Sequence, residues 1–230
     1  MPLSKQRALA EEFILRKAVQ PGPVIAVDGP AASGKGSIAR ALAKRFALPH
    51  MDTGLLYRAV ALNLWRWGGD PGIEFEALRA CDDLGVEPAD EELRSEPVSK
   101  IASMISAYPS VRAALLKRQQ DFAGQEGGAV LDGRDIGTVI APDASVKLFV
   151  TASPEIRAER RLKELEGRGM RVHYEEVLAD IRARDARDSG RAVAPLKPAA
   201  DSVQLDTSHL TLDQAIAEAV RLVEERLAHA

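Results

Sequence analysis

Residues 24–37 read VIAVDGPAASGKGS, and they predict a strand, a glycine-rich turn and a helix in direct succession. The strand signal is the run from Val24 to Val27, because a short segment that is apolar on both faces is typical of a strand buried inside a parallel sheet. An alanine-rich helix is predicted from Ser37 to about Phe46. A strand that turns at once into a helix is the opening unit of an α/β fold.

The turn matches the G-x-x-x-x-G-K part of the Walker A pattern, with Gly29, Gly34 and Lys35 at the fixed positions. Such a turn points backbone N–H groups inward, the helix amino terminus adds positive potential, and the lysine reaches the β- and γ-phosphates of a nucleotide. Gly36 follows the lysine where Ser or Thr is usual, so the nearest hydroxyl is that of Ser37. The predicted ATP-binding residues are Gly29, Pro30, Ala31, Ala32, Ser33, Gly34, Lys35, Gly36 and Ser37.

Three later segments repeat the strand pattern, namely Ala129–Leu131, Val146–Val150 and Ser202–Leu205. The second leads into a helix start at Ser153-Pro154, and the third leads into a capping-box pattern that begins at Thr211. Because strands alternate with helices, we expect a central parallel sheet in a three-layer α/β/α fold. Ligands should then bind along the edge where the strands end.

Two stretches do not follow this alternation. Residues from about 68 to 128 hold no strand signal and are predicted to be helices joined by acidic loops. Residues from about 155 to 198 are predicted to form two helices and then an arginine-rich loop. We therefore divide the chain into an N-terminal extension (1–23), a first part of the core (24–67), a helical insert (68–128) and a second part of the core (129–230) with a lid at about 168–198.

The composition disfavours several classes of protein. The chain has 31 Lys and Arg against 34 Asp and Glu, a formal net charge of −3, whereas proteins that bind nucleic acid through its phosphates usually carry a cationic excess. A single cysteine, Cys81, excludes an intrachain disulfide. No apolar run approaches the ~20 residues of a membrane span. We expect a soluble cytoplasmic protein without nucleic-acid or membrane partners, and a monomer because no unusual apolar face stands out.

Five sequence blocks, taken in order, resemble bacterial cytidylate kinases, which are P-loop nucleoside monophosphate kinases. The first is the strand and phosphate loop quoted above, whose G-K-G-S variant is similar to that of this family. The others are HMDTGLLYR at 50–58, YPSVR at 108–112, DGRDIGTV at 132–139 and RDARDSGRAVAPL at 184–196. The resemblance implies a P-loop NTPase-type fold with a mobile lid and an insert that binds the nucleoside monophosphate (NMP). It also implies transfer of the γ-phosphoryl group of ATP to CMP or dCMP, which gives CDP or dCDP.

The resemblance carries roles onto individual residues. The cytosine edge would be recognised by Ser103, Arg112 and Asp135, and the sugar by Arg184 and Asp188. The acceptor phosphate would be held by Arg58, Arg134 and Arg191, in a pocket lined by Thr53 and Tyr57. The chemistry agrees, because guanidinium groups bind phosphate oxygens through two parallel hydrogen bonds and carboxylates accept hydrogen bonds from amines and hydroxyls.

Phosphoryl transfer to an anionic acceptor requires positioning and neutralisation of charge rather than a strong base. The predicted catalytic residues are Lys35, Arg134, Arg187 and Arg191, with the arginines of a loop around 184–191 closing over both nucleotides. Mg²⁺ is expected to be held partly by Ser37. Asp132 follows a predicted strand, as a Walker B carboxylate does, and is expected to act on the metal through bound water.

Other interpretations stay open at several positions. Tyr57 fits core packing as well as the pocket, and His50 is predicted to position the loop after it. Asp28 and Asp52 either support the loop or magnesium-bound water or merely end strands, and the second interpretation is favoured for Asp28. The alternative function is a P-loop kinase acting on another small acceptor such as UMP. A GTPase is disfavoured, because the only asparagine, Asn63, is followed by Leu64 and leaves no N-K-x-D motif.

The insert departs from the family pattern. Many bacterial members carry a small antiparallel β-insert that ends in an Ile/Leu-Arg-Ser/Thr step, which Leu93-Arg94-Ser95 matches. Residues 85–91, GVEPADE, are too few and too polar to supply its strands. The NMP-binding insert is therefore predicted to be shortened. Ser103 and Arg112 come after it and stay in register, so base recognition is expected to survive.

Overall fold

The computed structural model describes residues 22–82, 84 and 90–229. Their strands are β1 (Val24–Asp28), β2 (His50–Asp52), β3 (Ala129–Gly133), β4 (Val146–Thr151) and β5 (Val203–Asp206). All neighbouring strands are parallel, in the order β2-β3-β1-β4-β5. The predicted extension lies outside the described residues up to position 21, and so does the predicted shortened insert from 85 to 89.

The sequence prediction found every strand of this sheet except β2. This edge strand has only three residues, and it pairs with β3 from His50 opposite Val130 to Asp52 opposite Asp132. All three of its residues are half-buried, and two of them are polar. It therefore lacks the apolar run that marks a buried strand in a sequence.

Helices cover both faces of the sheet, which confirms the predicted three-layer α/β/α fold. They are α1 (Lys35–Phe46), α2 (Thr53–Trp67), α3 (Glu74–Arg79), α4 (Asp90–Leu93), α5 (Glu96–Ile105), α6 (Pro109–Ala123), α7 (Pro154–Gly167), α8 (Tyr174–Gly190) and α9 (Leu212–Ala228). A π-helical turn follows β3, at Ile136–Ile140. The predicted caps are present, because the hydroxyl of Ser153 accepts a hydrogen bond from the N–H of Ile156, and Thr211 and Gln214 form a capping box.

The two faces of the sheet have separate cores. Helices α1 and α9 cover Ile25 and Val27 of β1 with side chains such as Leu42 and Val223. The other face packs Ala26 and Leu131 against α6 and the π-helical turn. With both faces covered, the carboxyl ends of the strands are left as the edge where a ligand can bind.

The helical insert and the lid helices each have a core of their own. Helices α2, α3, α5 and α6 pack around residues such as Val60, Leu64 and Ile105, while α7 and α8 pack against the phosphate loop at Ala31. The prediction of a loop around 184–191 is wrong, because α8 continues to Gly190. Alanine and arginine favour helix, and the chain leaves the helix only at a glycine.

Candidate active site

The phosphate loop lies at the carboxyl end of β1, and its shape depends on two glycines. Gly29 has φ of 155°, and a Cβ there would lie 2.1 Å from the carbonyl oxygen of Val150. Gly34 has φ of 90° and occupies the N-cap of α1, where it has no side chain to cap the first N–H groups. Those N–H groups and the positive end of the helix dipole suit a phosphate anion.

Lys35 is buried at the start of α1, and its Nζ donates a hydrogen bond of 3.4 Å to the carbonyl oxygen of Pro30. Burial, together with the nearby charge of Arg134, lowers the pKa of Lys35 to about 7. A phosphate bound beside the ammonium group would restore its pKa. The lysine is therefore arranged to become fully charged when an anion binds.

A cavity of about 380 Å³ opens in front of this loop. Most of the predicted site residues line it, namely Ala31, Ala32, Gly34, Lys35, Gly36, Ser37, Thr53, Tyr57, Arg58, Arg112, Asp132, Arg134, Asp135, Arg184, Asp188 and Arg191. The structure thus brings together residues from the phosphate loop, α2, α6, the end of β3 and α8. Gly29, Pro30 and Ser33 lie in the loop behind this lining.

Asp188 of α8 organises the arginines on one wall of the cavity. Its Oδ2 accepts a hydrogen bond of 3.0 Å from Nε of Arg134, and its carbonyl oxygen accepts one of 3.3 Å from Nε of Arg191. Burial alone would raise the pKa of Asp188, but Arg134, Arg184 and Arg191 together lower it. Burial alone would lower the pKa of Arg134, but Asp188 outweighs it and raises the pKa.

The arginines on this wall retain hydrogen-bond donors that are not used within the protein. Among the described residues, Nε of Arg184 and Nη2 of Arg191 have no hydrogen-bond partner. Burial, followed by repulsion from Arg134, lowers the pKa of Arg184 to about 9. The Asp188 carboxylate is the shared counter-charge of three guanidinium groups. An incoming anion could therefore accept hydrogen bonds from the buried guanidinium nitrogens that have no partner.

Arg58 and Thr53 approach the cavity from α2. Arg58 donates hydrogen bonds to the carbonyl oxygen of Leu93 (2.9 Å) and to the hydroxyl of Ser99 (3.0 Å), and burial lowers its pKa to about 10. Thr53 donates to the carbonyl oxygen of Asp132 at 2.8 Å. These bonds fix the start of α2 against β3 and against the insert.

Arg112 and Asp135 form a buried ion pair at another side of the cavity. Arg112 also donates to the carbonyl oxygen of Ser106 (3.2 Å), and Arg191 donates to the same oxygen (3.3 Å). The guanidinium of Arg112 lies 5.7 Å from the centre of the Tyr57 ring. Tyr57 is buried in the core of the insert and also lines the cavity, so its packing is observed while its role toward a substrate stays a prediction.

Two predicted residues lie elsewhere. Ser103 and Arg187 line a second cavity, of about 260 Å³, between α5 and the lid helices. The hydroxyl of Ser103 accepts hydrogen bonds from Nε (3.4 Å) and Nη2 (3.3 Å) of Arg187. The predicted cytosine contact of Ser103 and the predicted catalytic role of Arg187 stay predictions.

Asp132 lies next to the last residue of β3, at the wall of the main cavity, and is buried. Its Oδ1 lies 2.8 Å from Nε2 of His50, and its Oδ2 faces the loop, 3.6 Å from where a Cβ on Gly36 would be. The predicted role of His50 needs refinement, because its ring contacts this carboxylate. The hydroxyl of Ser37 accepts a hydrogen bond of 3.2 Å from Arg40.

Sequence reasoning missed three arginines of α7 that contact other parts of the molecule. Arg157 makes two hydrogen bonds to the carboxylate of Asp185 and one of 3.4 Å to the carbonyl oxygen of Ala31. Arg160 donates to the carbonyl oxygen of Ser33 at 3.4 Å, and Arg161 pairs with Glu96 of α5. Together they connect the lid helices to the phosphate loop and to the insert. The only signal in the sequence was a run of arginines on one helix.

Asp28 has a further contact that the favoured interpretation, a mere strand end, left out. It does end β1, but its carboxylate is buried and accepts hydrogen bonds of 2.8 Å from the N–H groups of Ile136 and Gly137. A strand end with no further role would leave this carboxylate in water. Nothing in the local pattern distinguishes the two cases, because the partner N–H groups lie more than a hundred residues away.

Comparison with known proteins places this site in a sequence family. The family described as cytidylate kinase matches residues 25–225. A cytidylate kinase from Xanthobacter autotrophicus is 58% identical over 207 residues, which cover 89% of this chain and 99% of that protein. One from Methylocella silvestris is 56% identical over 202 residues, which cover 87% of this chain and 94% of that protein.

A solved structure shares the fold at much lower identity. An uncharacterized protein from Eubacterium ventriosum superposes with a TM-score of 0.51 at 14% sequence identity, over 88% of this chain and 98% of that one. At this identity the similarity concerns the fold alone.

Proposed function

The chain belongs to the cytidylate kinase family, and we propose that the cavity at the end of β1 is where it transfers the γ-phosphoryl group of ATP to CMP or dCMP. One observation carries this placement. The phosphate loop with Lys35 and the arginine wall around Asp188 face the same cavity, so one phosphate chain and one acceptor phosphate can meet there.

The donor nucleotide would place its phosphates on the loop. The free N–H groups at the start of α1 and the ammonium group of Lys35 would bind the β- and γ-phosphates. Lys35 is close to half protonated at neutral pH before the nucleotide arrives, because burial lowers its pKa to about 7. Binding would draw a proton onto it and complete the charge neutralisation that transfer needs.

The acceptor nucleotide would sit between the arginine wall and the Arg112–Asp135 pair. Arg58, Arg134 and Arg191 would hold its phosphate, and Arg184 with Asp188 would hold its sugar. Asp135 and Arg112 offer an acceptor and a donor to the edge of a cytosine ring, and Ser103 would join them after leaving Arg187. The attacking oxygen already belongs to an ionised phosphate, so these groups need only align and neutralise it.

The donor set fits a magnesium ion that is shared with the substrate. Within the described ranges no group of three or more His, Cys, Asp or Glu could hold a metal ion. Mg²⁺ in kinases is usually bound by one or two protein oxygens together with the phosphates of the substrate. Ser37 and, through bound water, Asp132 would hold it. A bound Mg²⁺ neutralises charge on the phosphoryl oxygens. His50 would keep the Asp132 carboxylate turned toward the loop.

The lid helices would close over the substrates and exclude water. Arg157 and Arg160 already attach α7 to carbonyl oxygens of the phosphate loop, and Arg157 also binds Asp185 of α8. A change of the loop on nucleotide binding would therefore be transmitted to α8 and its arginines. Arg187 would swing toward the transferred group. Exclusion of water matters because an open site would hydrolyse ATP.

We further propose that the enzyme works as a monomer in the cytoplasm. No helix in the described part of the chain is long and apolar enough to cross a membrane. Light scattering of the purified protein checks the oligomeric state. A dimer at micromolar concentration would contradict the monomer.

The reaction is tested by following ADP release with ATP and Mg²⁺ against a panel of CMP, dCMP, UMP, AMP and GMP. We expect turnover with CMP and dCMP well above that with the other three. The family match does not favour UMP as the main acceptor. Equal turnover with CMP and UMP would contradict the cytosine contacts, and no turnover with either cytosine nucleotide would contradict the proposed function.

A further inference from the structure

The buried carboxylate of Asp28 lies outside the cavity lining, yet it touches the backbone that follows two acceptor-site residues. Asp28 is only 5% exposed. Its Oδ1 accepts a hydrogen bond from the N–H of Ile136, and its Oδ2 accepts one from the N–H of Gly137, both at 2.8 Å. Each oxygen thus holds one of two consecutive N–H groups in the turn that follows β3.

The two ends of this contact belong to different halves of the cavity. Asp28 immediately precedes Gly29, the first residue of the phosphate loop. Ile136 and Gly137 immediately follow Arg134 and Asp135, whose side chains pair with Asp188 and Arg112. One side chain therefore joins the donor loop to the segment that would bind the acceptor phosphate and base.

The turn is built so that the carboxylate can reach it. A Cβ on Gly137 would lie 3.0 Å from Cδ of the Lys147 side chain, which is a close approach, and 3.5 Å from Oδ2 of Asp28, which is ordinary van der Waals contact. The turn therefore packs directly against the carboxylate. The chain forms a π-helical turn from Ile136 to Ile140 at this point. Such turns are rare and occur often at functional sites.

Keeping a carboxylate here is costly. Burial, reinforced by the negative charge of Asp135, outweighs the two N–H groups and Arg134 and raises the pKa of Asp28 to about 6. The amino group of Lys147, whose stem packs beside the turn, pairs with Asp201 and not with Asp28. In the described part of the chain, two backbone N–H groups are the hydrogen-bond partners of this buried carboxylate, and such an arrangement is more readily explained by positioning than by stability.

We infer that Asp28 is a positioning residue that fixes the acceptor-binding segment 134–137 against the phosphate loop. The inference rests on the proposed function. Phosphoryl transfer depends on alignment, and a displacement of about 1 Å can reduce a rate about 10²-fold. Two hydrogen bonds on consecutive N–H groups restrain both the position and the orientation of this segment.

The test compares Asp28→Asn and Asp28→Ala with the unchanged enzyme. Asn keeps one acceptor oxygen but turns an NH2 donor toward the other N–H group, and Ala keeps no acceptor, so each variant loses the two-point restraint. With the carboxylate removed, we expect KM for CMP to rise about tenfold and the preference for CMP over UMP in kcat/KM to fall about fivefold. KM for ATP should change less than about twofold, because the phosphate loop keeps its own strand, helix and lysine.

Val223→Ala is the matched control for a general loss of stability. Val223 of α9 is fully buried against the other face of the sheet, and the variant should leave both KM values and the base preference unchanged. If Asp28→Asn does not fold, Asp28→Ser takes its place, because the smaller side chain removes the buried charge and its single oxygen cannot hold both N–H groups as the carboxylate does. That variant should move the base preference in the same direction.

Equal changes in KM for CMP and ATP, or an unchanged base preference in a folded variant, would overturn the inference. Failure of the proposed function has a different signature, because the unchanged enzyme would then show no turnover with CMP at all. If the unchanged enzyme is active and the Asp28 variants keep its selectivity, Asp28 is not a positioning residue, and the kinase assignment still holds.

Discussion

The donor and acceptor sides of the cavity are built in different ways. The donor side is one continuous stretch, residues 29–37, whose shape comes from glycine backbone and from the start of a helix. The acceptor side takes its residues from α2, α6, the segment after β3 and α8, and ion pairs such as Arg134–Asp188 hold them. Changes on the donor side should therefore reduce the rate, whereas changes on the acceptor side should reduce affinity and selectivity.

The largest expected effect is on the donor side, from Lys35→Met. The variant keeps a side chain of similar length in the buried position but removes the ammonium group that faces the phosphates. We expect kcat to fall roughly 10³-fold, with KM for CMP nearly unchanged. Steady-state kinetics with varied CMP at saturating ATP measure both.

Lys44→Met is the matched control, because Lys44 is exposed on the same helix. It should retain full activity. A large rise in KM for CMP in Lys35→Met, without a loss of kcat, would mean that the lysine serves the acceptor and that the two sides are not separate.

Next in size is Arg191→Ala on the acceptor wall. Arg191 contacts the carbonyl oxygens of Asp188 and Ser106, and one of its nitrogens is free among the described residues. We expect kcat/KM for CMP to fall about 10²-fold, with most of the loss in KM. Initial rates at low CMP concentration report this ratio directly.

The comparison variant is Arg221→Ala on α9, where the guanidinium is half-exposed and pairs with Glu218 and Glu225. Surface pairs of this kind contribute little, so its activity should stay near that of the unchanged enzyme. If kcat/KM for CMP falls by the same small amount in both variants, Arg191 does not bind the acceptor.

A smaller effect is expected from Ser103→Ala, because the Ser103 hydroxyl accepts hydrogen bonds from Arg187 in the second cavity. If the hydroxyl turns to the base when CMP binds, the variant should lose about tenfold in kcat/KM for CMP and less for UMP. The control is Ser110→Ala at the start of α6, where the serine hydroxyl donates a hydrogen bond to Glu74 of α3. Equal losses for CMP and UMP would instead assign Ser103 to holding α5 against α8.

The sequence predicted the donor side almost completely because that side is local. The glycines, Lys35 and the helix start lie within nine residues, and the strand before them has the apolar pattern that periodicity detects. The same reasoning missed β2, whose three residues are half-buried, and it predicted a loop where α8 continues to Gly190.

The acceptor residues were found through resemblance to a family rather than from local pattern. Spacing alone does not reveal that Arg112 meets Asp135 or that Arg134 meets Asp188, since those pairs are 23 and 54 residues apart. The contact of Asp28 with residues 136 and 137 was missed for the same reason. Arg157, Arg160 and Arg161 connect the lid to the loop and the insert, and no local signal separates them from surface arginines.

The smallest effect concerns the protonation of Lys35. Burial lowers its pKa to about 7 in the free enzyme, so at pH 8 only about a tenth of the molecules carry the charge. The terminal phosphate of ATP is already ionised at this pH, because its pKa is about 6. Binding that restores the lysine pKa should therefore take up close to one proton per ATP. Calorimetry at pH 8 in buffers of different ionisation enthalpy measures the uptake.

The sign of the pH dependence follows from the same linkage. ATP prefers the protonated lysine, so its Kd should rise as the pH increases through 7, by about fivefold between pH 7 and pH 8. Lys35→Arg keeps its charge throughout this range, so its proton uptake should vanish and its Kd should stay flat. Proton uptake that persists in Lys35→Arg would locate the titrating group on the acceptor side, and the two sides would then be coupled through charge before any phosphate is transferred.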